Sequence, residues 1–202
     1  MNPVRLFFQK MFKRTKYLKA QRKFNCGKRT YVGEGTKMAS NVVVGKFCSI
    51  SDGCCIGISK NRTELLSTHP FQWCESNERL YGDLKVPKEN VVKLEPSEGV
   101  VIGNDVTIGY GTIVLGGVSI GDGVQIGAGS IVTKSIPPYA VAVGSPAKIL
   151  RYRFDESTIK ELLELKWWDY PEDFIVTLPF KNIPKCIELL KRNIHLKDSI
   201  TK

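Results

Sequence analysis

The sequence of 202 residues is poor in what several protein classes require. It has no apolar run of about 18 residues, so no membrane-spanning helix is expected. Near the N-terminus, Leu6-Phe7-Phe8 is broken by Gln9 and Lys10, too short for the apolar region of an export signal. Only two histidines are present, too few for a three-histidine zinc centre. None of the six cysteines forms a CxxC pair, and Cys54 and Cys55 are adjacent. Without an export signal, reduced thiols in a cytoplasm are expected, with neither disulfides nor a metal site. No Gly-Lys-Ser/Thr ending marks a phosphate-cradling loop.

Acidic residues are missing from residues 1–33, which hold ten of the 30 Lys and Arg. The rest of the chain therefore carries 20 basic and 20 acidic residues, and the net charge of +10 belongs to an N-terminal arm. A neutral body disfavours a nucleic-acid-coating surface. The arm, residues 1–25, interleaves Val4, Leu6, Phe7, Phe8, Met11 and Phe12 with Arg5, Lys10, Lys13 and Arg14. Two readings stay open for it: a helix capping the body, or an amphipathic stretch touching the inner face of a membrane.

What is present is a six-residue period. From Val32 the chain reads VGEGTK, MASNVV, VGKFCS, ISDGCC and IG. From Ile102 it reads IGNDVT, IGYGTI, VLGGVS, IGDGVQ, IGAGSI and VTKSIP. Position one is always Val, Ile or Met, and position two is usually Gly or another small residue. Position five is small or β-branched, from Thr36 and Cys48 to Ser130 and Ile136. Six residues are too few for a helical repeat and too many for plain strand alternation. They fit a short strand and a turn, with positions one and five pointing inward. Cys48 and Cys54 then become small core fillers, and the glycines supply backbone angles that a Cβ would oppose.

This pattern resembles that of the hexapeptide-repeat acyltransferases. The resemblance implies a mainly β protein, a left-handed parallel β-helix, over residues 26–150. A long loop excursion at 58–101 would interrupt it, and α-helices would follow in residues 151–202. Asp155 is placed to cap a helix with Ile159, Leu162, Leu163 and Trp167 on one face. A second helix is expected from about Pro184, burying Ile187, Leu190 and Ile194 and ending near His195.

An interruption this long inside a regular repeat is usually functional. It contains Ser67-Thr68-His69-Pro70-Phe71, then Trp73, Tyr81 and Asp83. His69 suits a general base near neutral pH, and Pro70 restricts its backbone. From the residues alone, a packing role is equally open. The S-T-H-P-F element resembles the xenobiotic acetyltransferase and polysaccharide O-acetyltransferase branch, whose catalytic His falls near Asn61 or Arg62 in this sequence. No His stands there, so two alternatives stay open: His69 serves as the catalytic base from a shifted position, or the base is absent. Thr107 stands where relatives commonly carry Trp.

By the same resemblance, acetyl-CoA would meet the backbone near Tyr110, Gly111, Ala128 and Gly129. Thr133, Lys134, Lys148 and Arg151 would neighbour its adenine and phosphates. The chain would be a homotrimer acting on a hydroxyl of a sugar or polysaccharide, including O-antigen-type acceptors. Direct transfer within a ternary complex is the expected mechanism. Three alternatives stay open: a drug acetyltransferase of the chloramphenicol or streptogramin type, a nucleotide-sugar N-acetyltransferase, and a noncatalytic scaffold.

Overall fold

The computed structural model describes residues 24–59, 63–72, 86–92 and 98–198. The basic arm through Lys23, together with Asn61, Arg62, Trp73, Tyr81 and Asp83, lies outside the described residues. The repeat winds into a left-handed parallel β-helix of three sheets. The first sheet is β1 (Asn25–Cys26), β4 (Val42–Val44), β7 (Val100–Ile102) and β10 (Ser119–Ile120). The second is β2 (Tyr31–Val32), β5 (Ser49–Ile50), β8 (Thr107–Ile108), β11 (Gln125–Ile126), β13 (Ala140–Gly144) and β14 (Ala147–Tyr152). The third is β3 (Lys37–Met38), β6 (Cys55–Ile58), β9 (Ile113–Leu115) and β12 (Ile131–Val132).

Each coil stacks on the next in register. Asn25 pairs with Val43 and Val43 with Val101, so a step of 18 residues becomes one of 58. The excursion is therefore an insertion of 40 residues that leaves the ladder undisturbed. It leaves and rejoins the solenoid at the corner between the third and first sheets. Its base is tied down there, as Gly116 N–H donates to Ile58 O and Gly117 N–H to Glu98 O.

Position one fills the core: Ile50, Ile108, Val114 and Val132 are fully buried. Each such side chain contributes roughly 1.5–3 kcal/mol relative to exposure. Position five fills the space inside the corners, and there the polar members are hydrogen-bonded. Thr30 Oγ1 donates to Gly45 O and accepts from Cys48 N–H. Thr36 Oγ1 repeats this with Ser51 O and Cys54 N–H. Cys48 and Cys54 donate their thiols to Gly103 O and Gly109 O. Burial pushes the Cys48 thiol up to about 12, so it is an inert filler and no nucleophile.

The glycines divide their labour differently from the sequence expectation. Those at position two are needed for space. A Cβ on Gly109 would sit 2.4 Å from Ala128 N in the next coil. Apart from Gly57, where the excursion leaves the solenoid, the left-handed angles of the repeat belong to position four instead. At the corner between the second and third sheets these residues are Gly35, Gly53, Gly111 and Gly129. At the corner between the first and second sheets they are Arg29, Phe47, Asp105, Gly123 and Tyr139. Large side chains in that strained conformation form the surface on which the C-terminal segment docks.

That segment starts after β14, which turns back antiparallel along β13 and ends the parallel ladder. Helix α1 (Glu156–Leu165) opens on Asp155, whose carboxylate accepts from Thr158 N–H as the sequence suggests. Its hydrogen bonds hold that carboxyl below its ordinary range. Then come α2 (Glu172–Ile175), α3 (Ile183–Arg192) and α4 (His195–Asp198). Two details differ from expectation. Helix α3 stops at Arg192 and His195 opens α4. Ile194 is exposed because it follows the end of α3, which buries Cys186, Ile187 and Leu190.

Candidate active site

Three corners run along the solenoid, and the candidate residues fall on two of them. Tyr110, Gly111, Ala128 and Gly129 stack in adjacent coils at the second-to-third corner, joined by Gly129 N–H donating to Tyr110 O. Here the outer surface is open. A Cβ on Gly111 or Gly129 would meet nothing within 4 Å, whereas one on Gly53 would touch the Tyr110 ring. Tyr110 is 68% exposed. An aromatic ring beside two bare left-handed glycines forms a shelf where a ligand approaches main chain without obstruction.

Lys148 joins this corner. It pairs with Val143 across the β13–β14 hairpin, and Val143 packs at 2.8 Å from the Cβ position of Gly127. Arg151 pairs with Val141, nearer the other end of the same strand, and its Nη1 donates to Tyr152 O. Both cations are exposed. Thr133 and Lys134 follow β12, so within one chain they belong to the third-to-first corner, on the side that carries the excursion. The structure thus brings Tyr110, Gly111, Ala128 and Gly129 together, with Lys148 two strands further along the same sheet, on β14. It sets Thr133, Lys134 and Arg151 apart from them.

His69 sits exposed in a tight turn of the excursion. Its N–H donates to Ser67 Oγ at 3.1 Å. Its Nδ1 accepts from Phe71 N–H at 3.3 Å, with the two rings 5.6 Å apart. Pro70 begins the short 3-10 turn Pro70–Gln72, and Val92 N–H donates to Gln72 O, bringing the two described stretches of the excursion together. An acceptor role at Nδ1 puts the proton of the neutral ring on Nε2.

The bacterial transferase hexapeptide (six repeats) family model matches residues 99–134. Over 167 residues the chain is 32% identical to a probable macrolide acetyltransferase of Lysinibacillus sphaericus, covering 81% of this chain and 89% of that protein. The chain belongs to the hexapeptide-repeat acetyltransferase family. It is also 39% identical over 140 residues to a chloramphenicol acetyltransferase of Agrobacterium fabrum, covering 67% of this chain and 63% of that one. The match thus spans just under two thirds of that relative's length. Among solved structures, the polySia specific acetyltransferase NeuO is 26% identical, with a TM-score of 0.43, over 65% of this chain and 55% of that one.

Sequence reasoning missed Asp105 and Arg153. Arg153 Nη1 donates to Asp105 Oδ2 at 2.9 Å and to Gly123 O at 2.7 Å. Burial raises the Asp105 carboxyl above its ordinary value, and the Arg153 guanidinium pulls it back. The available signal was Asp105 itself, standing where other units carry glycine. No group of three or more potential metal ligands occurs among the described residues.

Proposed function

We propose that the chain transfers an acetyl group from acetyl-CoA to a hydroxyl of a sugar or polysaccharide acceptor. The observation that carries this is the open shelf of Tyr110, Gly111 and Gly129 with Lys148 at its end. Bare glycine surface admits an extended pantetheine chain, and the lysine suits a phosphate. Thr133, Lys134 and Arg151 lie elsewhere on the chain, and in this reading they serve the nucleotide end from a neighbouring subunit of a homotrimer. Val43 and Val101, side by side on the outer face of the first sheet and 45% and 55% exposed, provide apolar surface for such contacts.

The reaction needs no covalent enzyme intermediate. The acceptor oxygen attacks the thioester carbonyl carbon while His69 Nδ1 takes the hydroxyl proton. The C–S bond then breaks, and the thiolate recovers the proton from the imidazolium. Backbone N–H groups stabilise the oxyanion. A sugar acceptor is preferred over a drug because the excursion departs from the xenobiotic pattern at Asn61 and Arg62. The engagement of Nδ1 by Phe71 N–H favours a second reading, a solenoid that binds acetyl-CoA without turning it over.

Calorimetry with acetyl-CoA, followed by a panel of glycan and antibiotic acceptors, tests both readings. Micromolar binding should weaken in Lys148→Ala. Turnover should fall at least about a hundredfold in His69→Ala. Binding with no turnover on any acceptor would establish the second reading, and no binding at millimolar acetyl-CoA would end both.

A further inference from the structure

The first-to-second corner, which the acyl-transfer reading leaves unused, holds a cavity of about 280 Å³ under the C-terminal helices. Its origin is legible in the corner residues. Phe47 fills one side, its ring 5.0 Å from that of Trp167. Tyr139 fills the other, lying against Gly123. Between them the column carries only Asp105 and Gly123, and the helices bridge the gap. The walls are mainly apolar: Phe154, Leu162, Trp167, Leu178 and Leu190. An engineered apolar cavity of about 150 Å³ holds benzene, so this one has room for a substituted ring.

Its polar edge is specific. The Arg153 guanidinium lies 5.4 Å from the Tyr139 ring centre and 5.3 Å from that of Phe154. Only its Nη1 is engaged. Asp105 Oδ1, Arg153 Nη2 and Arg153 Nε have no hydrogen-bond partner among the described residues. The two side chains are 27% and 23% exposed, and both line the cavity. One free acceptor and two free donors, joined in a neutral ion pair, match a ligand with an adjacent donor and acceptor. A carboxylate does not match, because Asp105 repels it.

We propose that this seam between solenoid and helical cap binds a small neutral aromatic molecule bearing an amide-like group. The ring would lie among the apolar walls, the carbonyl would accept from Arg153, and the N–H would donate to Asp105. Occupancy would fasten the cap to the solenoid without touching the open corner.

Benzamide and benzoate are the probes, titrated into the full chain. Binding is read by tryptophan fluorescence and by ligand-observed NMR, with a melting curve for each protein. Wild type should bind benzamide saturably, and benzoate at least about tenfold more weakly. Asp105→Asn tolerates the left-handed angle and removes the repelling charge, so it should invert that order. No saturable benzamide binding up to its solubility limit would overturn the proposal, as would equal binding of both probes to wild type. Should Asp105→Asn not fold, the wild-type ratio alone decides.

Discussion

Two corners of one solenoid, built from the same six-residue unit, do opposite things. At the second-to-third corner the left-handed position is glycine in four successive coils, Gly35, Gly53, Gly111 and Gly129. At the first-to-second corner it is Arg29, Phe47, Asp105, Gly123 and Tyr139. Glycine leaves main chain bare for a ligand. A side chain there accepts strain of roughly 1–2 kcal/mol and gains an anchor. Arg29 reaches Glu172, Phe47 packs on Trp167, Asp105 holds Arg153, and Tyr139 joins the helical core. Lys46, beside Phe47, adds a 2.8 Å ion pair to Asp169. One residue per turn thus decides whether a corner is an open shelf or a docking edge.

The largest expected effect separates space from backbone angle. Gly109→Ala forces a Cβ into Ala128 N and should cost about 3 kcal/mol or more. Gly111→Ala, two residues away in open space, should cost about 1–2 kcal/mol. Denaturant melts of the pair check this, and equal costs would remove the distinction between the two glycine classes.

Phe47→Gly exchanges an anchor for a relaxed angle. Loss of the Trp167 contact should outweigh relief of strain, for a net loss of about 2 kcal/mol. Amide exchange should show that loss in α1 and the segment after it, with the other end of the solenoid unaffected. Tyr139→Phe goes the other way. The Tyr139 hydroxyl is buried without a partner among the described residues, so its removal should stabilise the chain by about 1 kcal/mol.

The smallest effect is electrostatic. The Arg29 guanidinium holds the Glu172 carboxyl below its ordinary value. Its contribution is therefore present above the ordinary glutamate range and lost as pH falls through the lowered folded value. Asp105, raised by burial, contributes with the opposite sign, favouring the fold at low pH and losing that as pH rises through its folded value. Both Arg29 and Glu172 are about half exposed, so Glu172→Gln should remove less than about 1 kcal/mol of acid-side dependence. Melting curves between pH 3 and 7 measure it.

The solenoid was legible because its core repeats strictly: inward Val and Ile at position one, small residues at position five. The cap of α1 was legible in Asp155. The docking edge was not, because Arg29, Phe47, Asp105 and Tyr139 look like irregularities until the coils stack them in one column. The grouping of Lys148 with the glycine shelf, and the separation of Thr133 and Lys134 from it, likewise depend on which corner each turn occupies. That emerges only from the 18-residue step and the antiparallel turn at Gly144–Ala147. The Phe71 N–H contact to His69 Nδ1 is a property of one local turn that no spacing encodes.

The proposed activity depends on acetyl-CoA binding at the open corner. Its most direct test compares acetyl-CoA binding by calorimetry in Gly111→Ala/Gly129→Ala and in Gly35→Ala. All three positions share the left-handed angle and lack a close protein neighbour for a Cβ, so each substitution should carry a similar cost in stability. The double variant should stay folded and bind at least about tenfold more weakly, while Gly35→Ala should bind as wild type does. Wild-type affinity in the folded double variant would contradict binding at the open corner.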